Sequence, residues 1–377
     1  MKTTIVRAVF PRRKRVLITS DLHGHADDFQ KLLDKVHFSA DDILVIVGDL
    51  LEKGPQSLKL MRMVMRLKEQ YTVYALMGNV DLWRLEFLES EDPQKQRDML
   101  DYSLHAMEWW GGSLLHEMAA ELGESLSPDT DITALFPRIR RHFAPEMDFL
   151  RAMPTILDTP HYLFVHGGIP HERLSELEGT DPYPLLKFDD FYHTDLSFSK
   201  YVVVGHWPAV LYSKTYPDFR PIIDAKRRII SLDGACGVKR EGQINLLMLP
   251  DGQSEDFTLV TQEHLPVIEA LEDQAPSPED QAVYIRWSDR WVTVLERGDE
   301  MSTVRYHGKT LSVPTQFLGQ DDQGDYCRDA TDYLLPVRRG ERLYLILALQ
   351  HGCFVKKDSI AGWYRGRYNM ITEVDEP

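Results

Sequence analysis

Val16-Leu17-Ile18-Thr19-Ser20-Asp21-Leu22-His23-Gly24 is a short apolar run that stops at a carboxylate, an imidazole and a glycine. A buried strand over Val16 to Thr19 delivers Asp21 and His23 at its C-terminal end, and Gly24 lets the backbone turn away. The same construction recurs along the chain. Ile43 to Val47 ends at Gly48-Asp49, and Tyr71 to Met77 ends at Gly78-Asn79. Tyr162 to Val165 ends at His166-Gly167-Gly168, and Tyr201 to Val204 at Gly205-His206. In an α/β sheet, ligands bind outside the carboxyl ends of the strands, so these distant positions are expected to converge.

Between the strands the spacing is helical. Asp27 to Val36 places Phe29, Leu32, Leu33 and Val36 on one face, and Pro55 opens a second helix through Leu60, Met63, Val64 and Leu67. From about 82 to 153 strand signals vanish, which predicts a helical insertion broken at Pro93, Gly111-Gly112, Ser127-Pro128 and Pro137. Trp109 and Trp110 read there as packing anchors. Arg228 to Leu232 and Ile244 to Leu249 close a layered α/β domain over residues 1–250. The polar, proline-containing stretch 251–280 reads as a linker. Beyond it, short β-like runs at regular spacing predict a small all-β domain over 281–377.

Composition narrows the function. A net charge of −16 repels a phosphate backbone and disfavours general nucleic-acid binding. No apolar run approaches the roughly 20 residues of a membrane helix. Cys236, Cys327 and Cys353 are far apart without a CxxC pair, which fits a reducing, cytoplasmic setting and argues against a thiolate zinc site. The basic cluster Arg12 to Arg15 reads as a solvated turn.

The strand-end residues Asp21, His23, Asp49, Asn79, His166 and His206 form a mixed N/O donor set, suited to Mn, Fe or Zn. Six donors exceed what one tetrahedral ion needs; a carboxylate shared by two ions roughly 3.5–4 Å apart would use them all. Such a pair generates hydroxide near neutral pH and neutralises charge on a phosphoryl oxygen. No GxSxG or Cys-His arrangement suggests a protein nucleophile instead.

Asp21-Leu22-His23-Gly24, Gly48-Asp49-Leu50-Leu51-Glu52-Lys53-Gly54, Gly78-Asn79-Val80-Asp81, His166-Gly167-Gly168 and Gly205-His206 resemble, in order, the signature of calcineurin-like metallophosphoesterases. More narrowly they resemble the branch of the PPP-type serine/threonine phosphatases and the symmetrical dinucleoside tetraphosphatases. Phe149-Leu150, Met153-Pro154 and Ile230-Ser231-Leu232-Asp233-Gly234 share the resemblance, which covers about residues 14 to 250. It implies a four-layer α/β/β/α sandwich with two divalent or trivalent metal ions. Asp21, His23 and Asp49 would hold one; Asp49, Asn79, His166 and His206 would hold the other, with Asn79 also approaching the substrate phosphate. The implied activity is phosphomonoester hydrolysis, phosphoserine and phosphothreonine included, by attack of a metal-bridging hydroxide.

This sequence departs from the family pattern at two places. The general-acid histidine after Gly-Asn is Val80, and the Asp-Arg of the second motif is Glu52-Lys53. Valine transfers no proton, and losing a general acid commonly costs about 10²- to 10⁴-fold in rate. Lys53 meets a phosphate as a point charge, and Asp81, His25, His105 and His193 are the candidate replacement acids. The alternative substrate is a dinucleoside polyphosphate or other nucleotide, whose leaving group is less basic. A second alternative is an impaired metal-binding interaction protein. The closing segments His351 to Lys357 and Gly362 to Gly366 resemble bacterial SH3-like domains, which implies a peptide or subunit contact through that module. The expected partner of the main site is a phosphorylated protein or small molecule, with no membrane involved.

Overall fold

The computed structural model describes residues 1–278 and 281–371. Contacts divide the chain into two units, one of residues 1–208 and 221–262, the other of 209–220 and 263 onward. In the first unit the elements run β1 (Ile5–Arg7), β2 (Val16–Thr19), α1 (Ala26–Lys35), β3 (Ile43–Ile46), α2 (Ser57–Gln70) and β4 (Thr72–Ala75). The insertion follows as α3 (Asn79–Glu89), α4 (Pro93–Trp110), α5 (Leu114–Glu121), α6 (Ile132–His142) and α7 (Ala144–Arg151). Strands then resume as β5 (Ile156–Asp158), β6 (Tyr162–Val165), β7 (Tyr201–Val204), β8 (Ile222–Asp224), β9 (Ile229–Ser231), β10 (Ile244–Leu249) and β11 (Thr258–Gln262).

Two sheets result, in orders β11-β10-β2-β3-β4 and β1-β5-β6-β7-β9-β8. The parallel register Val16↔Ile43↔Thr72 sets the ends of β2, β3 and β4 side by side. Alternation along the strands then fixes the layers. Val16, Ile18 and Val45 meet Phe164, Val203 and Ile230 between the sheets. Leu17, Leu44 and Ile46 face the other way, onto a core shared with α1 to α7. On the outer face of the second sheet, Leu163, Val165, Val202 and Val204 pack with Leu185, Phe191 and Phe198. The layering is therefore α/β/β/α.

Three details differ from the sequence reading. Pro137 was expected to break a helix, yet α6 runs through it. Asp131 caps that helix on the N–H groups of Thr133 and Ala134, and Ile132, Leu135, Phe136 and Ile139 are buried. The cap and the buried face outweigh the hydrogen bond that proline cannot make. Trp109 is 65% exposed, so it is no packing anchor. The stretch 251–280 contains strands rather than an open connection: β11 joins the first sheet, and Val267–Ala270 pairs with Arg342–Leu349 in the second unit.

The second unit is built of small antiparallel sheets. Val267–Ala270 lies between Arg342–Leu349 and Tyr368–Met370 in a five-stranded sheet completed by Gly352–Lys357 and Ile360–Tyr364. Thr293–Glu296, Met301–Tyr306 and Lys309–Pro314 form a separate meander. Residues 217–219, although early in the chain, belong here: Asp218 bridges Ile360, and the Phe219 N–H donates to the Ser359 carbonyl. No helix among the described residues is long and apolar enough to cross a membrane.

Candidate metal centre

The loops after β2 and β3 carry their functional side chains on strained backbone. Asp21 (φ 53°), His23 (φ 43°) and Asp49 (φ 53°) all adopt left-handed conformations. That region is uncommon for residues with a side chain, and it persists only where the surroundings over-determine it. Here the loops determine one another: the N–H groups of Asp21, His23 and Gly24 donate to the carbonyls of Gly48, Asp49 and Leu50. Gly78 is required by close approach, since a Cβ on it would overlap Asp49 Oδ1 and its backbone N. Gly205 is pressed in the same way against Asp21 Oδ2.

The side chains converge as the strand-end reading expects. Donor atoms of Asp21, His23 and Asp49 lie within 4.8 Å of one another, and all three residues are buried. His23 Nε2 is 3.6 Å from Asp49 Oδ2 and 3.9 Å from Asp21 Oδ1. On the other side of Asp49, its Oδ1 is 3.4 Å from His166 Nε2, which is 3.1 Å from Asn79 Oδ1. The His166 and His206 rings are 5.4 Å apart, and the His206 N–H donates to Asp21. Asp49 thus sits between two groups of donors.

The ring orientations test whether these residues fit a cation. His23 Nδ1 is 3.0 Å from the Leu51 carbonyl and His166 Nδ1 is 2.7 Å from the Val47 carbonyl. Each contact places Nδ1–H on a carbonyl, so Nε2 is the nitrogen that would carry a lone pair to a cation, the arrangement of histidine metal ligands. His206 is oriented through the opposite nitrogen, with Nε2 2.7 Å from Asp189 Oδ1, which leaves Nδ1 as the ring nitrogen for a cation. The donor set fits.

Electrostatics carry the same message. Burial, reinforced by the charge of Asp49, pushes the Asp21 carboxyl up to about 6, against the pull of His166. Burial and the Lys53 ammonium lower His23 to about 3. For Asp49 burial raises the pKa, but His166 and His23 outweigh it and hold the carboxylate ionised. His166 is the counterpart: burial opposes its charge, and Asp49 and Asp21 raise it to about 10. A buried pair of carboxylates relies here on an imidazolium and an ammonium for compensation, a role that a cation fills with more charge.

The second and third motifs place the remaining candidates. Lys53 Nζ is 3.1 Å from His23 Nε2, so its ammonium stands among the donors. Glu52 points the other way, fully buried, with Oε1 2.9 Å from Arg84 Nε. Val80 is buried, and its N–H donates to Asp49 Oδ1. Asp81 is fully buried: Oδ1 accepts from the N–H groups of Leu50 and Leu51, and Oδ2 from Gly78. His25 lies at the edge of this loop, where a Cβ on Gly54 would come within 2.8 Å of its Cε1. His105 is exposed on α4, and His193 is exposed beside Asp190.

Sequence reasoning missed Asp189 and Arg84, and it placed Asp233 in a motif without a role. Asp233 is buried with its carboxyl pushed well up by burial and by Asp21, and its Oδ1 accepts from the Ala235 N–H. Its place after the β9 run was a usable signal, of the kind that identified Asp49. Asp189 lies in a loop without periodicity, and nothing in sequence marks its contact with His206.

A family model described as calcineurin-like phosphoesterase matches residues 14–227. The symmetrical bis(5'-nucleosyl)-tetraphosphatase of Mannheimia succiniciproducens is 38% identical over 87 residues, 23% of this chain and 31% of that protein. The protein of the same name from Vibrio cholerae serotype O1 is 28% identical over 153 residues, 40% of this chain and 44% of that one. The chain thus spans between 31% and 44% of the length of these curated relatives. Among solved structures, a protein serine/threonine phosphatase from Saccharomyces cerevisiae is 12% identical with a TM-score of 0.42, covering 70% of this chain and 84% of that one. A cold-active protein-tyrosine phosphatase of a psychrophilic Shewanella sp. is 18% identical with a TM-score of 0.37, covering 70% and 83%.

Proposed function

The chain belongs to the calcineurin-like phosphoesterases, and we propose that it hydrolyses phosphoanhydride bonds of a nucleoside or dinucleoside polyphosphate at a two-metal site. Asp21, His23 and Asp49 would hold one ion, and Asp49, Asn79, His166 and His206 the other. When bound, such a pair supplies a water nucleophile and charge for the phosphoryl oxygens. Lys53 contributes a fixed positive charge for a phosphate, and Asn79 a carboxamide beside His166.

The observation that carries the choice of bond is the surroundings of Val80. Its side chain holds no proton, Glu52 is tied to Arg84, and both oxygens of Asp81 are occupied by backbone donors. With no acid at position 80 and Asp81 committed to the loop backbone, a leaving group that departs as an anion is favoured. A phosphate does so far more readily than a serine alkoxide. The relatives named as tetraphosphatases support the same choice.

A phosphomonoester substrate is the second reading. It is favoured by His25, whose imidazole lies beside Gly54 and Gly237 at the edge of the Lys53 loop. The test is a panel on metal-loaded protein: a dinucleoside tetraphosphate, an aryl phosphate and a phosphoserine peptide. The anhydride and the aryl ester should be cleaved about 10²- to 10⁴-fold faster than the alkyl ester, and Val80→His should narrow that gap. Equal rates on all three would refute the missing-acid argument. Full metal occupancy without turnover on any of them would favour an interaction protein with an inactive site.

A further inference from the structure

The second-motif loop bends through two consecutive left-handed residues, Glu52 (φ 63°) and Lys53 (φ 56°). That conformation is disfavoured for residues with a side chain, so neighbouring structure must hold the loop in place. Three contacts do. The Glu52 N–H donates to Ser57 Oγ at 2.8 Å. Asp81 receives the N–H groups of Leu50 and Leu51. The Glu52 carboxylate, itself without exposure, meets the guanidinium of Arg84, which is 4% exposed and lies 4.0 Å from the centre of the Tyr102 ring.

Asp81 and Arg84 are three residues apart on α3, hence on one face of it. The same helix begins at Asn79. One rigid element therefore carries a donor of the centre and two of the three grips on the loop. Tyr102 comes from α4, so the helical insertion closes around the guanidinium. A buried ion pair is often no more stabilising than an apolar pair of equal volume, so stability alone does not account for it. What it adds is direction. With Glu52 held on Arg84, the next side chain in the bend is left to the centre, and Lys53 Nζ reaches 3.1 Å from His23 Nε2.

We propose that Arg84 is a positioning residue for Lys53, acting through Glu52, so that the helical insertion sets the affinity of the centre for a phosphate group. This rests on the reading of Lys53 as the phosphate-binding cation. Arg84 touches neither substrate nor metal; its effect passes through the conformation of the loop.

The probe is inorganic phosphate, titrated calorimetrically into the metal-loaded full chain, with KM and kcat measured in parallel. Lys53→Met should weaken phosphate about 10- to 100-fold, the span of a charge-assisted hydrogen bond. Arg84→Met should weaken it about tenfold, with bound metal unchanged and the kinetic loss falling on KM rather than kcat. In a Lys53→Met background the Arg84 substitution should then change phosphate affinity less than twofold, and Arg84→Lys should restore part of the loss in the wild-type background. If Arg84→Met does not fold, Glu52→Gln, which leaves the guanidinium stacked on Tyr102, replaces it in the same cycle. Equal effects of the Arg84 substitution in both backgrounds, or unchanged affinity in a folded variant, would overturn the proposal. An inert Lys53→Met would overturn it together with the reading of Lys53, although turnover by the unaltered protein would leave the phosphoesterase reading intact. Absence of all turnover alongside the expected pattern of affinities would sink that reading and leave the role of Arg84 standing.

Discussion

The substitution Asp81→Asn separates a structural carboxylate from a catalytic one. Asp81 Oδ1 accepts two backbone N–H groups, at 3.0 Å from Leu50 and 3.1 Å from Leu51, and Oδ2 accepts a third at 3.1 Å from Gly78. Leaving a buried donor unpaired costs about 1–3 kcal/mol, so Asp81→Ala, with some relaxation, should destabilise this unit by about 3–6 kcal/mol. Asparagine keeps one oxygen facing Leu50 and Leu51 but turns an amide NH2 toward the Gly78 N–H. One bond is lost and two donors face each other, an expected cost of about 2–3 kcal/mol. Because the chain has two units, a single unfolding midpoint is a poor measure. Hydrogen exchange followed by mass spectrometry on peptides covering 43–53 and 76–84 reads the loop itself. Asp81→Asn should speed exchange at Leu50, Leu51 and Gly78, and Asp81→Ala more so, with activity falling alongside as the loops loosen. If Asp81→Asn exchanges like the wild type yet loses a hundredfold or more in kcat on an alkyl phosphate, the carboxyl is a proton donor and the structural assignment is wrong.

Other outcomes follow from the same geometry. His166 is raised to about 10, so it is protonated in the metal-free protein at pH 8 and must lose that proton to ligate. Calorimetry of Mn or Zn binding in buffers of different ionisation enthalpy should show about one proton released per chain from this group, with affinity weakening as pH falls; no release would refute the protonated state. In the second unit, Lys356 Nζ and Glu263 Oε2 are 2.6 Å apart and both side chains are buried. Lys356→Met alone should destabilise the second unit by up to about 3–5 kcal/mol by breaking a buried ion pair, and Glu263→Leu added to it should recover part of the loss, read by hydrogen exchange in peptides of that unit. Val80→His should leave hydrolysis of an anhydride nearly unchanged while raising that of a phosphoserine peptide, read as a ratio of kcat/KM values.

The residues that the sequence could place are those tied to strand ends. Asp21, His23, Asp49, Asn79, His166 and His206 each follow an apolar run, and the run both makes the strand and locates its end. Periodicity also placed α1 and the insertion, because an amphipathic face is a local property. Pro137 signals a break locally, but the buried face of α6 outweighs that penalty. The linker was misread because polar residues in β11 are compatible with an edge strand, whose pairing with β10 is not written locally.

What the sequence determined by itself was therefore the strand ends and the order of the polar residues that stand at them, since strand, turn and side-chain type are encoded within a few residues of each other. What only the tertiary structure decided was direction. It turned Glu52 away from the centre and onto Arg84, set Lys53 against His23, closed Asp81 on three backbone donors, and brought Asp189 to His206. Side-chain direction depends on backbone angles and on partners remote in the chain, such as Tyr102 and Arg84 around Glu52. No pattern of neighbouring residues contains that information.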